Sequence, residues 1–214
     1  MIYDIEIAKQ LAKYLLQINA IILQPQQPFK WASGWNSPIY CDNRRTLSFP
    51  NIRNFIRISL SSAINNKFKG VNVIAGVATA GIPHGALVAE ELGLPFIYVR
   101  NEAKNHGRKN QIEGHVDEGQ SVVLIEDLIS SGKSSIESIK ILRKSNINVK
   151  GLISIFNYGF DQSRKNFENA NCEYLSLCDY KIMLPEALER NYITKDDVYM
   201  LEKWREDPSN WKNI

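Results

Sequence analysis

A chain of 214 residues and 24.4 kDa is long enough for one domain with a buried core and short for two independent ones. Hydrophobic residues at 44% and charged residues at 23% exclude a mainly disordered chain, and no apolar run approaches the roughly 20 residues that span a bilayer. A net charge of +3 is too mild for a dedicated nucleic-acid binder, which carries a stronger and more clustered basic excess, but it leaves small phosphates open as partners.

The first residues alternate apolar and charged side chains, without a basic leader or a small-residue cleavage site, so no secretory signal is read and the cytoplasm is the expected compartment. Ile5, Ala8, Leu11, Ala12, Leu15 and Leu16 fall at helical spacing and predict an amphipathic helix over 4–18. Pro25 and Pro28 open a loop-rich region running to about Pro50, and a second helix follows with Ile52, Phe55, Ile56, Leu60 and Ala63 on one face. The β-branched run 71–77 then predicts a strand. It ends in the turn Ala78-Thr79-Ala80-Gly81, after which Pro83 suits the first turn of a helix over 83–92 closed by Gly93. Strands are predicted at 95–100, 121–125 and 149–156, a polar stretch at 101–119, and a helix at 134–144. Thr194 and Asp197 form a capping box before a last helix over 198–205, with Trp204 and Trp211 as packing residues. Strands alternating with helices in this way give an α/β fold with a parallel sheet flanked by helices. The chain divides as one domain into N-terminal helices and a hood segment (about 1–65), an α/β core (about 66–180) and a helical tail (about 181–214). Cys41, Cys172 and Cys178 are too few and too scattered for a disulfide framework or a zinc site, and no metal ligand set is expected.

Ligands bind parallel sheets beyond the carboxyl ends of the strands, and two of the loops leaving such ends are unusual. The first follows the strand Val-Val-Leu-Ile and reads Glu126, Asp127, Leu128, Ile129, Ser130, Ser131, Gly132, Lys133, Ser134. Its Gly-Lys-Ser ending looks like a triphosphate-binding loop, but Asp127 stands where that loop needs a glycine and would repel the anion. What remains is an apolar strand that delivers two carboxylates to a loop of small hydroxyl residues ahead of a helix. The loop amides and the helix N-terminus can hold one phosphate, and the carboxylates can accept hydrogen bonds from vicinal sugar hydroxyls. A sugar phosphate satisfies both halves. The second loop carries Arg100, Lys104 and His106 with Arg108 and Lys109, and contains glycines at 107 and 114. It reads either as a solvated charge run or as a mobile lid that brings positive charge onto a phosphate.

The first loop resembles the phosphoribosyl-diphosphate (PRPP) motif of the type I phosphoribosyltransferases. The second, Arg-Asn-Glu-Ala-Lys-Asn-His-Gly over 100–107, is similar to the catalytic loop of the orotate phosphoribosyltransferase family. The segments 29–34 and 37–45 resemble that family's N-terminal hood, and 76–83 its diphosphate loop; the stretch KWREDPSNW over 203–211 also looks like it. The resemblance implies transfer of ribose 5-phosphate from PRPP to orotate, giving orotidine 5′-monophosphate and diphosphate, with Mg²⁺ arriving on PRPP. It further implies a homodimer whose lids serve the neighbouring subunit's site, and no nucleic-acid or membrane partner. By that resemblance Glu126 and Asp127 hold the ribose hydroxyls, residues Leu128 to Ser134 wrap the 5′-phosphate, and Ser130 also touches orotate. Thr79 meets the diphosphate, and Arg100, Lys104 and His106 neutralise it, with Lys104 catalytic. The chain departs from some members in having Ala32, Ala80 and Asn101 where they carry lysine, and Tyr158 near the place of a base-contacting arginine. Lys30, Arg44 and Arg45 are then the candidates for the orotate carboxylate. A transferase for a purine or another base, sharing the PRPP loop but lacking the lid, and a PRPP-sensing regulatory protein stay open as alternatives. His84 reads as structural, His115 has no partner in view, and Cys41 lacks a His or Asp companion for nucleophilic work.

Overall fold

The computed structural model describes residues 1–31, 34–101 and 110–211. The first helix, α1 (Ile5–Gln17), starts at Asp4, whose carboxylate accepts the free amides of Glu6 and Ile7 at 2.9 Å each. Short strands β1 (Ile21–Leu23) and β4 (Ile39–Cys41) pair antiparallel, and β2 (Phe29–Lys30) with β3 (Asn36–Ser37) makes a small hairpin beside them. A 3₁₀ turn, Asn43–Ser48, leads into α2 (Pro50–Lys67), which takes Pro50 into its first turn, where a missing amide costs nothing.

The core alternates β5 (Val73–Val77), α3 (Gly81–Leu92), β6 (Phe96–Val99), β7 (Ile112–Glu113), β8 (Ser121–Ile129), α4 (Lys133–Lys144) and β9 (Asn148–Asn157), then α5 (Asp161–Asn169) and β10 (Tyr174–Asp179). Helices α6 (Tyr180–Glu189) and α7 (Lys195–Glu206) close the described chain, α7 beginning with the predicted Thr194–Asp197 capping box. The strands form one six-stranded sheet in the order β10-β9-β8-β5-β6-β7, parallel except for the edge strand β7. Along β8 the pleat sends Val123 and Ile125 into the layer of α1, α2, α3 and α6, and Val122 and Leu124 into the opposite layer with α4 and α5.

Three expectations need correction. The strand predicted at 121–125 continues to Ile129, because β9 supplies partners as far as Asn157, so Glu126 and Asp127 lie on the strand itself. Helix α3 opens at Gly81, two residues before Pro83; a proline in the first turn needs no amide partner. Helix α5 and strand β10 were not foreseen, and the four core strands expected are six.

Strand order reverses between β5 and β8. From β5 the chain steps outward to β6, and β8 then returns to the other side of β5. A crevice opens at such a switch point beyond the carboxyl ends of the two strands. Here those ends carry the turn at 78–81 and the segment at 126–135.

Candidate active site

The crevice is a cleft of about 380 Å³ lined by Arg44, Ala78, Thr79, Ala80, Glu126, Asp127, Leu128 and Ser130 to Ser135. Two helices end on it. Neither α3, starting after Ala80, nor α4, starting after Gly132, has a side chain capping its first-turn amides, so both leave N–H groups and the positive end of the helix dipole for an anion. Gly132 takes φ +75°, a left-handed conformation that favours glycine, and a Cβ there would sit 3.0 Å from the Phe167 ring. At Gly81 a Cβ would collide with the Ile125 carbonyl, so only glycine lets α3 approach β8 this closely. The Ala78–Thr79 peptide is cis.

Between the two helix ends stand the carboxylates. Glu126 is 6% exposed, and its Oε2 accepts the Ser135 hydroxyl at 2.9 Å. Burial, then the charge of Asp127, pushes the Glu126 carboxyl well above the usual carboxylate range. Burial also raises Asp127, against opposing hydrogen bonds and the nearby charge of Arg44. Such a pair favours carrying a proton when nothing else is bound. Asp127 is half-buried and the more accessible of the two. Its backbone carbonyl accepts a 2.7 Å hydrogen bond from the side chain of the fully buried Asn43, which ties the 3₁₀ turn to the acidic strand end. The Asn43 carbonyl in turn takes the Thr46 hydroxyl at 2.6 Å.

Thr79, Glu126, Asp127, Leu128, Ser130, Ser131, Gly132, Lys133 and Ser134 thus come together on one cleft. Ile129 does not join them: its side chain is in the core and its carbonyl accepts the Tyr158 amide. Arg100 stands at the end of β6, its amide donating to Gln111, whose side chain returns a bond to the Asn101 carbonyl. Lys104 and His106 lie outside the described residues, as do Ala32 and the rest of the segment 102–109. Of the three arginine and lysine candidates, Lys30 is exposed. Arg45 donates to the Ile18 carbonyl. Arg44 lines the cleft but holds Asp42 through Nε and Nη2 at 2.6 and 3.0 Å.

Tyr158 is 2% exposed and packs its ring among Trp31, Phe156, Phe160 and Trp204, so it is a core residue. His84 is 2% exposed, and burial lowers its pKa to about 4, in keeping with a structural role. His115 does have a partner, Asp117 at 3.2 Å. Among the described residues Cys41 has only Asn43 within hydrogen-bonding reach, and burial and neighbouring carboxylates hold its thiol well above the usual range, the reverse of an activated nucleophile. Sequence reading missed two supports, Asn43 beneath Asp127 and Asn166, whose Nδ2 donates to the Ser131 carbonyl at 2.8 Å. An asparagine that acts on a loop far away in sequence leaves no local signal.

A phosphoribosyl transferase domain model matches residues 49–176. An orotate phosphoribosyltransferase of Phocaeicola vulgatus is 49% identical over 204 residues, covering 95% of this chain and 96% of that protein. Among solved structures, the UMP synthase of Leishmania donovani superposes with a TM-score of 0.78 at 26% identity, over 92% of this chain and 42% of that one. The orotate phosphoribosyltransferase of Aeropyrum pernix does so with a TM-score of 0.71 at 26% identity, over 82% and 98%. The near-full-length identity and the shared α/β architecture place this chain in the orotate phosphoribosyltransferase family, with the fold of the type I phosphoribosyltransferases.

Proposed function

We infer that this protein transfers ribose 5-phosphate from PRPP to orotate, yielding orotidine 5′-monophosphate and diphosphate on the route to UMP. The observation that carries the reading is the pair of uncapped helix N-termini with two carboxylates between them on one cleft. PRPP presents a phosphate, a vicinal diol and a diphosphate in that same order. In this reading the amides and hydroxyls of 130–134 hold the 5′-phosphate, and Glu126 and Asp127 accept from the ribose hydroxyls. Thr79 and the start of α3 face the diphosphate, and Ser130 borders the base.

The bond from C1′ to the diphosphate oxygen breaks with its electron pair going to the diphosphate, leaving an oxocarbenium-like ribose. Deprotonated N1 of orotate then forms the new bond to C1′. The barrier is lowered by holding the two reactants in line and by placing cations where negative charge grows, the work assigned to Lys104 with Arg100 and His106. Among the described residues no three His, Cys, Asp or Glu side chains converge on a metal site. One accessible carboxylate beside hydroxyls suits a hard cation that brings diphosphate oxygens and water as its other ligands. Mg²⁺ carried in by PRPP is therefore the expected cofactor, supplying charge neutralisation, with Asp127 the protein group able to meet it. No helix among the described residues is long and apolar enough to cross a membrane. A cytoplasmic homodimer, each lid serving the neighbouring subunit, completes the reading, with the whole chain acting as one domain.

The test is loss of orotate absorbance with PRPP and Mg²⁺, run beside uracil, adenine and hypoxanthine. Orotate should be consumed only when PRPP and Mg²⁺ are both present. Faster turnover of a purine would reject the assignment of the base.

A further inference from the structure

We propose that Arg205, on α7, receives the carboxylate of the pyrimidine acceptor and so determines which base this enzyme takes; the proposal rests on the transferase reading above. Orotate differs from uracil by one carboxylate, and a site that selects it needs a cation beside the place of the base. Of the cationic side chains near the cleft, Arg44 is bound to Asp42, Arg45 is turned to the Ile18 carbonyl, Lys30 is out in solvent, and Lys133 is exposed in the first turn of α4, beside the place assigned above to the 5′-phosphate.

A second cavity, of about 560 Å³, adjoins the cleft and shares Ser130 and Ser131 with it. It lies on the β9 side, between the turn at Gly159 and the end of α7, with Trp35 of the hood also lining it. A pyrimidine joined to a ribose in the first cleft has this cavity as its neighbouring space, and the volume is that of a small-molecule site. Its charged lining residues are Asp161, Arg205 and Glu206. Asp161 is matched by Arg164 at 3.3 Å, and Glu206 by Lys203 at 2.9 Å. Arg205 has no carboxylate within 4 Å among the described residues. Its Nη1 donates to the Gly159 carbonyl at 3.0 Å, which fixes the guanidinium against the cavity wall and leaves its other N–H groups to a ligand. A planar, pre-positioned guanidinium is the side chain best suited to grip a carboxylate through two parallel bonds.

Two nucleotides separate recognition of the carboxylate from every other contact: orotidine 5′-monophosphate carries it and uridine 5′-monophosphate does not. Wild-type protein titrated calorimetrically should bind the first more tightly. In Arg205→Gln, which keeps a donor for Gly159, affinity for orotidine 5′-monophosphate should fall roughly 10- to 100-fold, about 1.4–2.7 kcal/mol, while affinity for uridine 5′-monophosphate stays within about twofold. The KM for orotate should rise in parallel and the KM for PRPP should hold. Arg205→Lys should lie between the two proteins, and it serves in place of Arg205→Gln should that variant lack a thermal unfolding transition. An equal loss for both nucleotides would make Arg205 a prop for the Gly159 turn, and unchanged affinities would make it a bystander; either overturns the proposal. Wild-type protein inert toward orotate would instead remove the transferase reading itself, and this assignment with it.

Discussion

Glu126→Gln should make the protein more stable and a poorer enzyme. The wild-type carboxyl is buried, accepts the Ser135 hydroxyl at 2.9 Å and lies 3.2 Å from the Asp127 amide nitrogen, and burial beside Asp127 raises its pKa well above the usual range. Glutamine keeps the shape and an oxygen for Ser135 but carries no charge. Ionising the buried carboxyl beside Asp127 destabilises the folded wild type at pH 8, a cost the neutral amide does not carry, and the weaker bond to a neutral acceptor gives back about 1 kcal/mol. The ligand-free variant should therefore melt above wild type at pH 8, each 1 kcal/mol of net gain raising Tm by about 2–4 °C for a chain of this size. The sign of the pH dependence follows from the raised folded pKa. The protonated carboxyl's stabilising contribution is complete below the unfolded carboxylate pKa, and it is lost as pH rises through the folded value. The variant's advantage should therefore grow with pH and vanish in acid. Losing a charged acceptor for a ribose hydroxyl should meanwhile lower kcat/KM for PRPP roughly 10- to 100-fold. Thermal melts from pH 4 to 8, with PRPP saturation kinetics, measure both. A variant that melts below wild type at pH 8, or one that keeps full PRPP efficiency, would refute the reasoning.

The proposed sharing of the site across a homodimer predicts complementation: mixing Lys104→Ala with Asp127→Asn should restore about a quarter of wild-type activity, since half the dimers would be hybrids with one intact site each, and no recovery after verified subunit exchange rejects it. Asn166→Ala removes the bond to the Ser131 carbonyl and should raise the KM for PRPP about three- to tenfold with little change for orotate; an unchanged PRPP KM would dismiss the prop. His84, neutral because burial holds its pKa at about 4, stabilises the fold above pH 6.5. That contribution, about 3 kcal/mol in all, is lost as pH falls through 4, so His84→Gln should flatten the acid side of the Tm profile, and parallel profiles would contradict this.

The strands expected and the acidic pair were legible because each signal is local: a β-branched run, its glycine or proline punctuation, or two carboxylates ahead of small residues each fits within about ten positions. Helix α5 escaped because Asp-Gln-Ser-Arg-Lys-Asn-Phe-Glu-Asn over 161–169 buries only Ser163 and Phe167, too thin an apolar stripe for periodicity to register. Strand β10 ends directly in α6 with no turn residue between them, and Pro185 inside α6 reads as a breaker. The bonds from Asn43 to Asp127 and from Arg205 to Gly159 join residues 84 and 46 positions apart, and only the folded chain brings them together.

Helix α7 fixes an order of assembly. Trp204, fully buried, meets the rings of Trp31, Tyr158, Phe160 and Tyr180 and donates to the Asn36 carbonyl 168 positions earlier, and Asp197 takes the Gln26 side chain across 171. Contacts of such separation close late, after the local strand–helix units have formed. On the ribosome the sheet and the loop at 130–134 can take shape while 195–206 are still unmade. The hood gains its anchor, and the second cavity its far wall, only when this helix arrives. If the proposed roles of the two cavities hold, newly made chains should bind PRPP before they can accept a base.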